Sequence, residues 1–296
     1  MISPEPPLFL SAAWMRVMVA SGAIARACPV TLRDTVVHVG EYRAFGLAKW
    51  ILYGALPDET ELLSLFVQAR RQGVFQVESD FNMARWQERT FLATHTRVTR
   101  PFGTYLVDLS QSEEALWEGM HPKHRNMTRR ARQEGVEIRP ELDLGACVAL
   151  MGETYARGGR EHGFSLRYLE LLRRELDGRV LFWSAVHRGE LQAALVLPYD
   201  GLTGYYLHGA SRTGGVPGAS NLLHWEAMRH LRSAGVGRYD LGGARETTDD
   251  PRLEGIFRFK QRFGGVFVHC YHWKKVVSLP RERLHALLFA LRGGSV

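Results

Sequence analysis

The sequence predicts an α/β (α+β) protein with mixed, largely antiparallel sheets flanked by helices. Three observations carry that prediction. Short apolar runs alternate with segments of helical period along all 296 residues. In the second half, three strand-like runs are joined by the tight-turn sequences HRGE and YDGL, which is antiparallel connectivity. Finally, 45% hydrophobic and 10% aromatic residues supply one large core or two smaller ones, and exclude a disordered chain.

The elements follow in order. In the opening MISPEPPLFLSAAWMRVMVASG, Pro6, Pro7 and Arg16 interrupt the apolar residues and no basic region precedes them. It reads as mature protein, not a secretory signal. No apolar run reaches the ~20 residues of a membrane helix, so a soluble, cytoplasmic chain is expected. TVVHVGEY and GVFQVES are strand-like. DETELLSLFVQARRQG is a helix with acidic residues first, basic residues last and a glycine stop. TYLVDL is a strand, and Ser110 or Ser112 caps the helix carrying Glu113 and Glu114. PKHRNMTRRARQEG is a second helix with Pro122 in its first turn, and VEIRP a further strand. LDLGACVALMGETYARGGREHG is helical up to its glycines, as is LRYLELLRREL. After the three-stranded meander come an amphipathic helix, ASNLLHWEAMRHLRSAG, and a strand ending in glycines, RYDLGG. GIFRFKQRFGG reads as a short helix, VFVHCYHWKKVV as the last strand and PRERLHALLFAL as the closing helix.

Charge and motif inventory narrow the chemistry. The net charge of +7 favours an anionic partner, although a solubility charge would look the same. The charge clusters in one helix: Lys123, Arg125, Arg129, Arg130 and Arg132 have only Glu134 nearby to compensate, which suits a polyanion. Cys28, Cys147 and Cys270 lie far apart without CxxC spacing, which argues against a disulfide framework or zinc site and fits a reducing compartment. There is no HExxH, GxSxG, GxGxxG or P-loop. His162, His187, His208 and His224 lack ligand spacing and read as satisfied or exposed histidines.

The sharpest signal is FRFKQRFGG at 257–265. On a helix, Ile256, Phe259 and Phe263 share one face, Lys260 stands on its flank, and Arg258, Gln261 and Arg262 take the opposite side. The ordinary outcome for such a lysine is a stem along apolar surface with its head in water. The alternative is an ammonium in a partly dry cleft, where it would act strongly on developing negative charge. The preceding YDLGG favours the second: Asp240 follows a strand, and Gly242 and Gly243 admit close backbone approach. A charged loop, 245–252, then leads to the lysine helix.

Four stretches together resemble one family, the Fem-type (FemXAB) aminoacyl-tRNA-dependent peptidyl transferases. They are TYLVDLSQSEEALWEGMHPKHRNMTRRARQEGVEI, REHGFSLRYLELL, YLHGASRTGGVPGASNLLHWEAMRHL and YDLGGARETTDDPRLEGIFRFKQRFGG. The resemblance covers 104–265 well and the first hundred residues loosely. It implies two GNAT-like subdomains, 1–103 with 280–296, and 104–279 carrying the catalytic motif. It also implies aminolysis, in which a free amine of an acceptor peptide attacks the ester carbonyl of an aminoacyl-tRNA. Such an ester is already activated, so no cofactor is implied. On this resemblance the family's Phe-Lys pair falls on Phe259 and Lys260. Lys260 would serve the oxyanion or the leaving ribose oxygen, and the Phe259 carbonyl would orient the amine. The family's phosphate-gripping arginine falls on Arg167, and a family tyrosine on His208, with Tyr206 able to replace it. The basic helix would meet tRNA.

Two departures separate the chain from one subgroup: its N-terminal lysine falls near Met18, with Arg16 close by, and its second tyrosine near Leu171. The acceptor is therefore open among nucleotide-linked, lipid-linked and non-cell-wall peptides, with a peptidoglycan precursor stem expected from the family. The transferred residue is of the glycine, alanine or serine class, and a monomer is expected. Three alternatives stand beside this reading: a GNAT-like N-acyltransferase using an acyl thioester on a sugar or small amine, a tRNA-dependent ligase of a secondary-metabolite peptide, and a non-catalytic binding protein. Against the thioester, RTGGVPGAS is glycine-rich before a helix but off the pyrophosphate-loop spacing.

Overall fold

A computed structural model describes residues 7–32, 35–54, 59–80, 89–157, 165–244 and 248–292. The chain divides into two compact units, Met1–Phe102 with His269–Val296, and Gly103–Val268.

The first unit opens with α1 (Ala12–Ala20), capped by Ser11, whose hydroxyl accepts from Trp14 N at 3.2 Å. Then come β1 (Arg26–Leu32), β2 (Thr35–Ala44), β3 (Leu47–Leu52), α2 (Glu59–Arg71), β4 (Gln76–Ser79) and α3 (Arg89–His95). β1, β2 and β3 pair antiparallel, and β3 and β4 pair parallel with α2 as the crossover. A parallel pair needs such a connection because the chain must return to the end of the sheet where the first strand began. α2 buries Leu62, Leu65, Phe66 and Ala69, spaced three and four apart, against Val30, Leu32, Val39 and Trp50.

The second unit begins within β5 (Arg97–Asp108) and continues through α4 (Glu113–Gly119), α5 (Pro122–Gln133), β6 (Glu137–Arg139), α6 (Leu144–Arg157), α7 (Leu166–Glu175), β7 (Val180–His187) and β8 (Glu190–Pro198). It ends with β9 (Thr203–Tyr205), β10 (His208–Ser211), α8 (Ala219–Ser233), β11 (Arg238–Ala244), α9 (Pro251–Gln261) and the start of β12 (Val266–Val276). Ser112, not Ser110, caps α4, its Oγ accepting from Ala115 N at 3.1 Å; Ser110 is held instead by Asp108. The chain then returns to the first unit. There Lys274–Val276 of β12 pair antiparallel with β4, which draws 269–279 to that unit, and α10 (Leu279–Leu291) follows.

Two expectations are corrected in the second unit. The third meander strand is two strands in different pairings. β9 lies parallel to β11, whereas β10 lies antiparallel to β8 in the order β10-β8-β7-β6. The switch occurs between adjacent residues: Tyr206 N donates to Asp240 O at 2.8 Å and Leu207 N to Val196 O at 3.2 Å. Nothing local in GLTGYYLHGAS encodes a change of partner. The helix bearing Lys260 also starts earlier than GIFRFKQRF suggested. Asp250 caps it, its carboxylate accepting from Arg252 N at 2.9 Å, and Pro251 occupies the first turn. The helical reading of 158–163 and the loop residues 245–247 lie outside the described residues. The core of this unit joins Leu195 and Leu197 of β8, Leu222, Trp225, Met228 and Leu231 of α8, Tyr239 and Leu241 of β11, and Phe263.

Candidate active site

The site grows from a fault in a strand ladder. β11 pairs with β5 in steady register through Asp240↔Leu106, then slips before Gly243↔Thr104. Such bulges re-aim backbone groups and recur beside active sites. Gly242, at the slip, has φ 72, and a Cβ there would stand 3.0 Å from Tyr206 O. Both the conformation and the crowding demand glycine. Asp240, fully buried, holds the bulge: its Oδ1 accepts from Thr104 Oγ1 at 2.5 Å and from Gly242 N at 2.8 Å. Thr104 also reaches Gly242 O at 2.9 Å.

The bulge presents the Gly243 carbonyl to Lys260, whose Nζ donates to it at 2.7 Å. Lys260 is 8% exposed and is the one buried residue of α9. Its head is therefore not in water, and desolvation lowers its pKa to about 7. The ammonium lies 5.5 Å from the centroid of the Tyr206 ring, a cation–π contact. Among the described residues, no acidic group is ion-paired with it. Ile256, expected on the apolar face, is 45% exposed instead. The helix meets the protein through Phe257, Phe259, Lys260 and Phe263, a face rotated away from Ile256.

The three phenylalanines divide the packing. Phe257 lies against Tyr105 and Phe267, with centroids at 5.4 and 5.7 Å. Phe259 and Phe263 enclose His124 and His224, with centroids between 4.6 and 5.5 Å. His224 was expected to be satisfied or exposed; it is buried and satisfied, its Nδ1 2.6 Å from Tyr239 Oη. Desolvation pushes both His124 and His224 down to about 3, with nearby cationic groups adding to the effect, so both rings stay neutral. Burial raises the Tyr206 hydroxyl to about 12, keeping it a donor.

The glycines after Phe263 have a packing reason. Gly264 has φ 84, and a Cβ there would meet Gly119 O at 2.5 Å. His121 N, at the cap of α5, donates to Arg262 O at 3.0 Å. The end of α9 is thus locked to the start of the basic helix. That final turn is also tightened. The Phe263 N–H goes to Lys260 O at 3.2 Å, three residues back, which leaves the Phe259 carbonyl outside the helical ladder.

α5 buries His124, Thr128 and Ala131 and exposes Lys123, Arg129, Arg130 and Arg132, with Arg125 half-buried. Arg130 pairs with Glu134 at 3.1 Å as its spacing implied. Arg132 also has an acidic partner, Glu226 of α8 at 2.5 Å, which corrects the reading that Glu134 alone compensates. Arg125 and Arg129 meet neutral groups: Glu118 O at 3.3 Å, and Asn126 with the Trp117 ring.

His208 and Arg167 lie on separate elements, β10 and α7. His208 Nε2 lies 3.2 Å from Tyr168 Oη, and desolvation pushes the ring down to about 3. Tyr168 follows Arg167 in the first turn of α7, where Arg167 is exposed. Tyr168 thus supplies, one turn before Leu171, a tyrosine that meets β10 at His208. The preceding His162–Gly163 lies outside the described residues. A surface cavity of about 640 Å³ between the start of α6 and one face of α7 shares none of these groups. Thr104, His124, Tyr168 and Tyr239 escaped sequence reasoning, because each earns its place through a partner distant in the chain.

The acetyltransferase (GNAT) domain model matches residues 122–261, from the start of α5 to the end of α9, Lys260 included. No curated protein matches the chain in sequence. Among solved structures, FemX superposes with TM-score 0.78 at 13% identity, covering 96% of this chain and 95% of its own. A conserved protein of unknown function from Bacteroides thetaiotaomicron gives 0.62 at 14% identity, covering 93% of each chain. L-PGS from Bacillus licheniformis gives 0.56 at 13% identity, covering 94% of this chain and 91% of its own. At these identities the likeness is one of fold. A match to the GNAT acetyltransferase domain model over just under half of the chain thus sits within a fold that the chain shares with FemX.

Proposed function

We propose that the protein is an aminoacyl-tRNA-dependent transferase that adds one amino acid, of the glycine, alanine or serine class, to a free amine of an acceptor peptide. The acceptor class most in keeping with FemX-like folds is a peptidoglycan precursor stem. The observation that carries the proposal is Lys260: a desolvated cation held by one carbonyl, with the unladdered Phe259 carbonyl preceding it in the same helix turn.

The chemistry follows from those two groups. The acceptor amine attacks the ester carbonyl, forming the C–N bond, and the Phe259 carbonyl accepts a hydrogen bond from the amine. Negative charge develops on the carbonyl oxygen, and a buried ammonium stabilises it more than a solvated one would. As the C–O bond breaks, Lys260 gives its proton to the ribose oxygen. It recovers one from the new amide nitrogen, so protons balance. A pKa of about 7 lets both transfers proceed near neutrality. The ester is activated beforehand, so this reaction requires no metal or nucleotide. Arg167, Tyr206, His208, Asp240, Gly242 and Gly243 would bind or shape the substrate site. Lys123, Arg125, Arg129, Arg130 and Arg132 would grip tRNA phosphate, with Trp117 beneath Arg129. The GNAT domain match favours one second reading, acyl transfer from a thioester.

The test offers the protein a mixture of labelled aminoacyl-tRNAs with muropeptides bearing a side-chain amine, read by mass spectrometry. A gain of one amino acid is expected, abolished by ribonuclease and reduced at least ~10²-fold by Lys260→Met. Product from acetyl-CoA with none from any aminoacyl-tRNA would decide for the thioester. Arg125→Gln with Arg129→Gln should weaken tRNA binding and flatten its salt dependence by about two in log–log slope.

A further inference from the structure

We propose that α10 docks the protein on an anionic lipid surface. This goes beyond the transferase reading and does not rest on it.

α10 is a 13-residue helix with no buried residue. It rests on the first unit by a narrow stripe, Glu282, His285 and Leu288, each half-buried and three apart. His285 is the anchor, stacked on Phe75 at 4.8 Å and edge-on to Phe45 at 5.9 Å. Leu284, Leu287 and Leu291 lie on a different face, at i, i+3 and i+7, and are 46%, 57% and 74% exposed. Single exposed leucines need no account, but a helical stripe of them does.

The charges around the stripe identify what would cover it. The helix carries Arg281 and Arg283 at one end and Arg292 at the other, all exposed, and its one acid, Glu282, faces the docked side. Arg281 extends over Gly73, where a Cβ would come within 2.9 Å of its Nη1. That places it beside the end of α2, which exposes Arg70 and Arg71. An apolar ridge with exposed arginines at both ends of its helix, Arg292 stacked on Phe45, and more at the neighbouring end of α2 matches acyl chains below anionic headgroups. A second copy fits less well, because isologous packing on this ridge would set its arginines against their own symmetry mates.

Co-sedimentation of the full chain tests this with vesicles of phosphatidylcholine alone and with ~30% phosphatidylglycerol. Binding should favour the anionic vesicles at least ~10-fold and weaken with salt. Leu284→Ser/Leu287→Ser/Leu291→Ser should lower partitioning at least ~10-fold, and Arg281→Gln/Arg283→Gln by ~3-fold or more. Circular dichroism checks folding, and Leu287→Asp alone replaces the triple variant if that fails to fold. Equal partitioning to both vesicle types, or leucine variants that bind as the parent does, would overturn the proposal. So would a dimer in light scattering that the leucine variants dissolve while vesicle binding stays unchanged.

Discussion

Glu41 in the first unit and Lys260 in the second are both buried ionisable side chains, and their surroundings treat them in opposite ways. In the first unit Glu41 is 2% exposed on β2. Burial works against its charge. Hydrogen bonds from Arg26 at 2.7 Å, Arg43 at 2.6 Å and Trp50 Nε1 at 3.3 Å outweigh that and hold the carboxyl down at about 2. In the second unit Lys260 is buried to a similar degree but answered by a carbonyl and a ring face, and desolvation wins. A charge with matched partners cross-links strands; a charge left under-compensated is held ready for a reacting group. The neutral histidines continue the contrast, since His124, His208 and His224 all lie in the second unit.

The largest test of that contrast is acid. The three histidines have folded pKa values near 3, below the ordinary 6.5. The unfolded chain therefore binds more protons as pH falls from 6.5 to 3, and the second unit loses stability across that window. The loss is at most about 3 kcal/mol per histidine by pH 4. Glu41 is depressed from 4.5 to about 2, so its contribution persists above 4.5 and fades only below. Hydrogen exchange at pH 4–5 should show the second unit opening first; simultaneous opening would break the comparison.

Next is Lys260→Met. The lysine's folded pKa lies below its unfolded 10.5, so between about pH 7 and 10.5 the unfolded state binds the extra proton. The charge thus opposes folding at neutral pH by roughly 4 kcal/mol at most, less the lost hydrogen bond to Gly243 O. The variant should melt higher than the parent at pH 7, with the gain shrinking toward pH 10. A lower melting temperature at pH 7 would mean the lysine is structural. The smallest effect belongs to Glu41→Gln. Arg26 and Arg43 are half-exposed, and solvent screening limits the loss to about 1–2 kcal/mol. An effect near zero in urea unfolding would reduce the Glu41 cluster to surface decoration.

What could be read without coordinates was whatever the chain encodes within a turn or two. Helices α2, α5, α7 and α8 announce themselves by period, caps and end charges, and β7 and β8 by their turn. Lys260 was visible as a cation on the flank of an apolar face, and YDLGG as a strand, although β11 does not stop at its glycines but runs through them to Ala244. DDP before Arg252 was also a local signal, an N-cap followed by proline, and it marks the true start of α9. Tertiary structure decided the rest. The split at Tyr206–Leu207 depends on competition between β11 and β8 for one strand's hydrogen bonds. The bulge at Gly242 depends on Thr104, 136 residues before Asp240. Glu226 reaches Arg132 because α8 packs on α5, and the Lys260 pKa depends on how much water its own surroundings exclude. A periodicity specifies which face turns inward. Which groups meet it there, and how dry they leave it, depends on segments the local sequence cannot refer to.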